Sequence, residues 1–358
     1  MAAAPAISQP GLSATYERER QVKLRGVVTR IDWVNPRAFV FVDVRDATGT
    51  VWNWAVEVGN PLELESAGWK RSAIKIGDVV TVDGIPARGD ARQAMAKTIV
   101  SAATGKRVFA PSAARPAAVA ARQPAPRWPD GQIRLGPPPG KKGYWGAASA
   151  RALVESAGAR ISMTDEGLLL NLADADKVAP FLPWSRALYE YRQRTLLKDD
   201  PLSRCLPPGG PRQFHTPGGL QFVEQRELGR ILVLLGGGNR NWRAIYTDGR
   251  PQGQPAEVVL SYYGNSVGRW EKDTLVVDSI GFNEKFWLTS GGLPHTEALH
   301  LVERFTRQDL NTLKYDVTVD DPRTYARSWS GGWTIQWVPD REIQEYFCEE
   351  NAESTFIR

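Results

Sequence analysis

Hydrophobic and polar residues alternate with a period of two through the first hundred residues, which is typical of strands with one buried face. The clearest run is AFVFVDV at residues 38–44, where Phe39 and Phe41 alternate with Val40 and Val42. The strands predicted here are 22–29, 38–44, 51–58, 79–82 and 94–100. Five short strands with one helical or irregular segment predict a small OB-like Greek-key barrel over residues 16–104.

The same alternation returns in the C-terminal part of the chain, residues 144–358. A helix is predicted first, at residues 183–197, because Trp184, Leu188 and Tyr191 fall on one helical face. The strands predicted after it are 220–223, 231–235, 243–246, 261–264, 274–278, 297–305, 313–319, 333–338 and 345–348. Short strands bounded by turn residues predict a mainly β domain, an antiparallel β-barrel or sandwich (lipocalin-like) with one or two flanking helices.

Between these parts, residues 105–143 are rich in Ala and Pro and predict an extended linker. Eight basic residues and a single acidic one give this segment a charge of +7, whereas the whole chain carries +5. The rest of the chain therefore carries −2, and the positive charge belongs to the linker. Since no basic stripe with interleaved aromatic residues appears in the predicted domains, we expect no nucleic-acid partner.

Composition further limits the class of protein to which the chain can belong. A length of 358 residues favours two domains, and 42% hydrophobic residues exclude a disordered chain. No apolar run is long enough to cross a membrane. Three His and two Cys, without metal-ligand spacing, predict no metal site and no cofactor.

Several motifs carry a resemblance to a known family. In the first part they are GVVTRIDWVNPRAFVFVDV and KIGDVVTVDG, and in the second PWSRALYEYRQ, LLGGGNRNWRAIYTDGRP and GGLPHTEALHLVERFTR. The chain resembles a family of uncharacterised bacterial two-module proteins that are usually predicted to be exported. The resemblance implies export but no activity. The family often begins with a His-rich segment, whereas residues 11–16 here contain no His.

The chemical state of the two cysteines, Cys205 and Cys348, depends on the compartment in which the protein works. In an exported protein they would form one disulfide, whereas in the cytoplasm they would be two thiols. Residues 1–15 lack the basic start and apolar stretch of a secretory signal. We therefore expect a periplasmic or secreted protein numbered from near its mature N terminus, with a cytoplasmic protein as the alternative.

His295 and Glu297 form the best candidate for acid/base chemistry. If residues 297–305 form a strand and His295 leads into it, the side chains of His295 and Glu297 point to the same face, and a carboxylate orients an imidazole for use as a general base. Tyr325 follows the next strand and is a candidate polar stabiliser. The alternative interpretation is a polar loop rim without catalytic function.

A glycine-rich loop at residues 236–238 and the tryptophans of the last strands suggest a ligand site. The loop lacks the Lys-Ser/Thr of a phosphate-binding loop, so nucleotide binding is not expected. The candidate ligand-binding residues are Asn239, Asn241, Trp242, Arg243, Trp333 and Trp337. A plain hairpin turn and a barrel core of large aromatic residues are the structural alternatives.

These features together predict an exported two-module β protein that binds a small, partly apolar or aromatic molecule in its C-terminal barrel. One alternative is a cofactor-independent lyase, isomerase or hydrolase that uses the His295–Glu297 pair. A second alternative is a structural envelope protein. The sequence leaves the ligand, the reaction and the oligomeric state open.

Overall fold

The computed structural model of the chain describes residues 16–17, 19–33, 37–66, 68–89, 91–110, 123–148, 153, 161–164, 167–216, 218–238, 242–254, 257–346 and 348. The chain divides into two units, each described by itself. The first is Met1–Ala118 with Phe347–Arg358, and the second is Val119–Tyr346. No helix in the described residues is long and apolar enough to cross a membrane.

The first unit contains a closed five-stranded barrel, which confirms the predicted OB-like fold. Its strands are β1 (Val22–Trp33), β2 (Ala38–Arg45), β3 (Val51–Gly59), β4 (Val79–Pro86) and β5 (Gln93–Ser101), with β6 (Arg107–Phe109) added at the edge. The order is β3-β2-β1-β4-β5-β6, and a parallel β3–β5 pairing closes the barrel. Helix α1 (Pro61–Ser66) between β3 and β4 adds Leu64 to a Val-rich core.

Gly26 allows β1 to lie close against β2. A Cβ atom at this position would lie 2.1 Å from the carbonyl oxygen of Asp43, so a larger residue would push the two strands apart. A glycine inside a strand often marks such a close approach of two backbones. The glycine inside the first predicted strand therefore permits the close approach of β1 and β2.

The second unit contains a closed barrel of nine strands. They are β7 (Gly143–Trp145), β8 (Leu220–Gln225), β9 (Arg230–Leu235), β10 (Trp242–Tyr246), β11 (Asn265–Glu271), β12 (Thr274–Ile280), β13 (His300–Arg307), β14 (Thr312–Asp320) and β15 (Trp329–Pro339). Each strand pairs with its neighbour in this order, and β15 pairs with β7. The predicted barrel is confirmed, but one pairing, β10 with β11, is parallel.

The long connection from β10 to β11 explains this one exception to the antiparallel pattern. Parallel neighbours need a crossover connection, and residues 247–264 supply it. The strand predicted at residues 261–264 is part of this connection, and the strand itself begins at Asn265. The strand predicted at residues 345–348 is absent from the described residues 345 and 346.

Helix α2 (Pro183–Arg194) forms as predicted, but it buries a different face. Trp184 and Tyr191 are about half exposed, whereas Ser185, Tyr189 and Gln193 are buried. The buried polar side chains are satisfied by backbone carbonyls, since Ser185 Oγ donates to Thr324 O at 2.6 Å and Gln193 Nε2 donates to Gly291 O at 2.7 Å. Hydrogen bonding across the helix, rather than the apolar stripe, decides its orientation.

Parts of the predicted linker at 105–143 are packed, which corrects its expected extent. Residues 107–109 form β6, and Ile133 and Leu135 belong to the core of the second unit. The amide groups of Leu135 and Gly136 donate to one oxygen of Glu224, each at 3.0 Å. Arg127 pairs with Asp273 at 2.7 Å, so part of the positive charge assigned to a tether lies on a folded surface.

Cys205 and Cys348 form a disulfide, as expected for an exported chain. Cys205 follows a short 3₁₀ turn at Pro201–Arg204 and adopts a left-handed conformation with φ of 58°. Cys348 is buried. The bond closes a loop of roughly 140 residues, and long loops gain most from such a constraint in the chain-entropy model.

We expect the double variant Cys205→Ser/Cys348→Ser to unfold with a free energy lower by about 2–5 kcal/mol, because the unfolded chain regains the entropy of the open loop. Urea unfolding of both proteins measures the difference. The unmodified protein in reducing agent is the control and should match the double variant. Equal stability of the oxidised protein and the double variant would contradict the expectation.

Candidate functional site

A buried ion pair lies inside the second barrel, between Arg243 on β10 and Glu303 on β13. Both residues point inward because the alternation of each strand places them beside buried apolar residues. Arg243 Nη1 donates to Glu303 Oε1 at 3.0 Å, and Arg243 Nη2 donates to Glu303 Oε2. The two side chains are 2% and 0% exposed, so the pair is wholly removed from solvent.

Three hydroxyl groups on the strands near this pair complete its hydrogen bonding. Arg243 Nε donates to Ser266 Oγ at 3.0 Å, and Arg243 Nη2 also donates to Ser279 Oγ at 2.8 Å. Tyr315 donates its hydroxyl proton to Glu303 at 3.0 Å. Strands β10 to β14 therefore each contribute one polar group to a single cluster, the Arg243–Glu303 cluster.

The electrostatics of the cluster act on the pKa values of Arg243 and Tyr315. Burial by itself lowers the pKa of Arg243, but attraction to Glu303 and the hydrogen bonds between the two groups outweigh this and raise it. Burial also raises the pKa of Tyr315 well above its ordinary value, with the charge of Glu303 adding to the effect. Arg243 therefore stays charged and Tyr315 stays a hydrogen-bond donor.

A 3₁₀ segment at Gly210–His215 packs against the aromatic side of this cluster. The ring of Phe214 lies 4.5 Å from that of Tyr315 and 5.7 Å from that of Trp333. His215 follows it, with its ring centre 4.9 Å from Trp333. Phe214, His215, Tyr315 and Trp333 form what we call the aromatic wall.

Several buried polar atoms at the aromatic wall have no hydrogen-bond partner in the described part of the chain. They are both ring nitrogens of His215 and Nε1 of Trp333. Burial, together with the nearby charge of Arg212, lowers the pKa of His215 to about 3. The imidazole is therefore neutral, with one donor and one acceptor. Because native proteins rarely leave such groups unsatisfied, this cluster is where a ligand or ordered water is expected.

The structure brings together two of the predicted ligand-binding residues and separates others. Arg243 and Trp333 are connected through Glu303 and the ring of Tyr315, which lies 4.6 Å from Trp333. Trp242 is 57% exposed because it lies on the opposite face of β10 from Arg243. Asn239 and Asn241 lie outside the described residues.

Trp337 is buried but belongs to another cluster, two inward positions along β15 from Trp333. Its ring lies 4.9 Å from that of Trp145, and the guanidinium of Arg307 lies 4.9 Å from Trp337 and 4.7 Å from Trp145. The donors of Arg307 are used by backbone carbonyls, among them Gly136 O at 2.8 Å and Leu310 O at 2.7 Å. This arrangement supports the fold, since none of the unpartnered buried atoms found among the described residues belongs to Arg307, Trp145 or Trp337.

The predicted acid/base residues do not share one strand face, which is a correction. Strand β13 begins only at His300, because residues 296–299 form a turn in which Leu299 N donates to Thr296 O at 3.1 Å. His295 is buried, with ring nitrogens 3.1 Å from Phe286 O and 3.2 Å from Thr296 O, and burial lowers its pKa to about 4. Glu297 is exposed.

Tyr325 is buried and donates its hydroxyl proton to Pro294 O at 2.7 Å. The carboxylate of Asp321 binds the amide of Thr296 at 2.6 Å and the hydroxyl of Thr324 at 2.8 Å. Tyr325 and Asp321 thus hold the turn around His295 in place. This geometry explains the Asp-Asp-Pro sequence at residues 320–322 as a structural turn.

An open groove on the second barrel contains a histidine–carboxylate pair that the sequence did not suggest. His300 Nε2 lies 3.0 Å from Asp278 Oδ2, and Gln252 Nε2 donates to the other oxygen of Asp278 at 3.1 Å. Glu297 and Arg323 also line the groove. Among the described residues, no group of three or more His, Cys, Asp or Glu is placed to hold a metal ion.

Sequence reasoning missed Glu303, Tyr315 and His215. A signal for Glu303 was present, since it alternates with Leu301 and Phe305 and a charge on an apolar face indicates a buried partner. No comparable signal existed for His215, because its place depends on a 3₁₀ segment packed against the barrel.

Comparisons with known proteins gave a match for the N-terminal part of the chain. Residues 2–96 match the model of a family of unknown function, DUF6152, and the match ends within β5 of the first barrel. This agrees with the expected relation to an uncharacterised family. No curated protein matches the chain, and no solved structure matches it.

We expect Glu303→Gln to lower the free energy of unfolding by about 3–5 kcal/mol, because it leaves the buried charge of Arg243 unpaired. The double variant Arg243→Met/Glu303→Met should lose less than the single variant, since it removes both charges. Urea unfolding measures both effects.

The matched control is Glu271→Gln, which breaks the exposed pair between Glu271 and Arg304. An exposed pair contributes less than about 1 kcal/mol. If Glu303→Gln were no more destabilising than this control, the Arg243–Glu303 pair would not be the buried, coupled interaction described above.

Proposed function

We propose that the second barrel binds a small, partly apolar or aromatic ligand at the aromatic wall. The observation that carries the proposal is the set of unpartnered polar atoms, the His215 ring nitrogens and Trp333 Nε1, beside aromatic rings. A buried polar group without a partner costs roughly 1–3 kcal/mol. A ligand with one polar group on an apolar body would remove this cost and pack against the rings.

The neighbouring Arg243–Glu303 cluster supports the proposal by making the wall rigid. Tyr315 packs on Trp333 while its hydroxyl group is fixed by Glu303. Binding sites that are organised in advance lose less entropy when the ligand enters. The tryptophan would thus be held in position by groups that need no rearrangement.

We further propose that the protein works in an exported compartment, the periplasm or the cell exterior. The Cys205–Cys348 disulfide supports this, because such bonds persist where the environment is oxidising and are rare in the cytosol. The match of residues 2–96 to a family of unknown function carries no information about the ligand.

For the alternative of acid/base catalysis, the geometry supports the predicted His295–Glu297 pair less than the His300–Asp278 pair of the open groove. His295 is held between backbone carbonyls, and the exposed Glu297 is not among its hydrogen-bond partners in the described residues. The His300–Asp278 pair, by contrast, lines an open groove and has the contact that orients an imidazole. A hydrolase or isomerase would use this pair. A purely structural role would leave the unpartnered buried atoms at the aromatic wall without an explanation.

We expect Trp333→Phe to weaken the binding of small aromatic probes at least tenfold, because it removes the indole N–H and part of the ring contact. A tenfold loss corresponds to about 1.4 kcal/mol. Isothermal titration of the full chain with phenol, benzamide and benzoate measures the affinities.

The matched control is Trp242→Phe, which changes an exposed tryptophan on the outer face of β10. It should bind the probes as the unmodified protein does. Absence of binding for all three probes, or equal affinities for the two variants, would contradict the proposed site.

A further inference from the structure

The 3₁₀ segment Gly210–His215 carries a second side chain with unpartnered atoms, Arg212. In a 3₁₀ helix there are three residues per turn, so side chains three apart lie one above the other. Arg212 and His215 therefore lie on the same side of the segment. Their proximity is also evident in the electrostatics, since the charge of Arg212 lowers the pKa of His215.

Arg212 is buried and only partly satisfied. Its Nη2 donates to Asp200 Oδ2 at 2.6 Å, whereas its Nε and Nη1 atoms are buried with no acceptor in the described part of the chain. The other oxygen of Asp200 accepts the amide proton of Leu202 at 3.0 Å. The guanidinium therefore offers donors that no described residue uses.

The unpartnered atoms on this side of the segment are mostly hydrogen-bond donors. Arg212 contributes two nitrogen atoms, Trp333 contributes Nε1, and neutral His215 contributes one donor and one acceptor. The unpartnered oxygen of Gln213 belongs to a residue that projects a third of a turn away from this side. A group that accepts several hydrogen bonds would satisfy these donors better than a hydroxyl group or an amide would.

We infer that the ligand of the second barrel is a small aromatic or partly apolar carboxylate, whose oxygens are bound by Arg212, Trp333 and His215. This inference rests on the proposed function and specifies the polar end of the ligand. Hydrogen bonds between an ionised donor and a carboxylate are roughly twice as strong as neutral ones. His215 is partly exposed although its nitrogens are buried, so the site is close to the surface.

The test compares benzoate with benzamide, which have similar size and shape but differ in charge. We expect isothermal titration of the full chain to give an affinity for benzoate at least tenfold higher than for benzamide. The variant Arg212→Lys keeps the charge and can still pair with Asp200, but it loses the spare guanidinium donors. It should reduce the preference for benzoate to less than threefold.

The control variant is Arg307→Lys, which changes a buried arginine whose donors are used by backbone carbonyls. It should keep the preference for benzoate, and thermal unfolding confirms that both variants are folded. If benzamide bound as well as benzoate, or if Arg212→Lys kept the preference, the carboxylate inference would be wrong while the proposed ligand site would stand. If neither probe bound, the proposed function itself would fail.

Discussion

The second barrel is organised around one buried ion pair, Arg243 with Glu303. A charge removed from water must be paired and hydrogen-bonded, and here five successive strands, β10 to β14, each supply a group to that task. The cluster also fixes strand register. A slip of one residue in β13 would turn Glu303 to the outer face and leave Arg243 alone in the core.

The same requirement explains why the unsatisfied atoms nearby are informative. The barrel satisfies even a buried arginine such as Arg307 with backbone carbonyls. Against that background, both ring nitrogens of His215, Nε and Nη1 of Arg212 and Nε1 of Trp333 form a group of buried atoms without a partner among the described residues. Trp333 packs on both His215 and Tyr315, and Tyr315 is bonded to Glu303, so the aromatic wall and the ion pair are parts of one arrangement.

Strand alternation made the fold predictable from the sequence, and it also placed Trp333 and Arg243 on inward faces. Alternation with a period of two does not predict how segments that are not strands pack. The burial of Ile133 and Leu135 was missed because an Ala/Pro-rich composition suggests an unpacked chain. His295 was misplaced because the strand predicted at residues 297–305 begins three residues later, at His300. His215 and Arg212 depend on tertiary contacts that leave no mark in sequence periodicity.

The most direct measurement is a high-resolution crystal structure of the full chain grown with benzoate. We expect density for the carboxylate at hydrogen-bond distance from Arg212 Nη1 and Trp333 Nε1, with its ring against the aromatic wall and the Arg243–Glu303 pair unchanged. Density for ordered water alone, or donors of Arg212 and Trp333 bound to groups of the protein itself, would contradict a ligand site in this barrel.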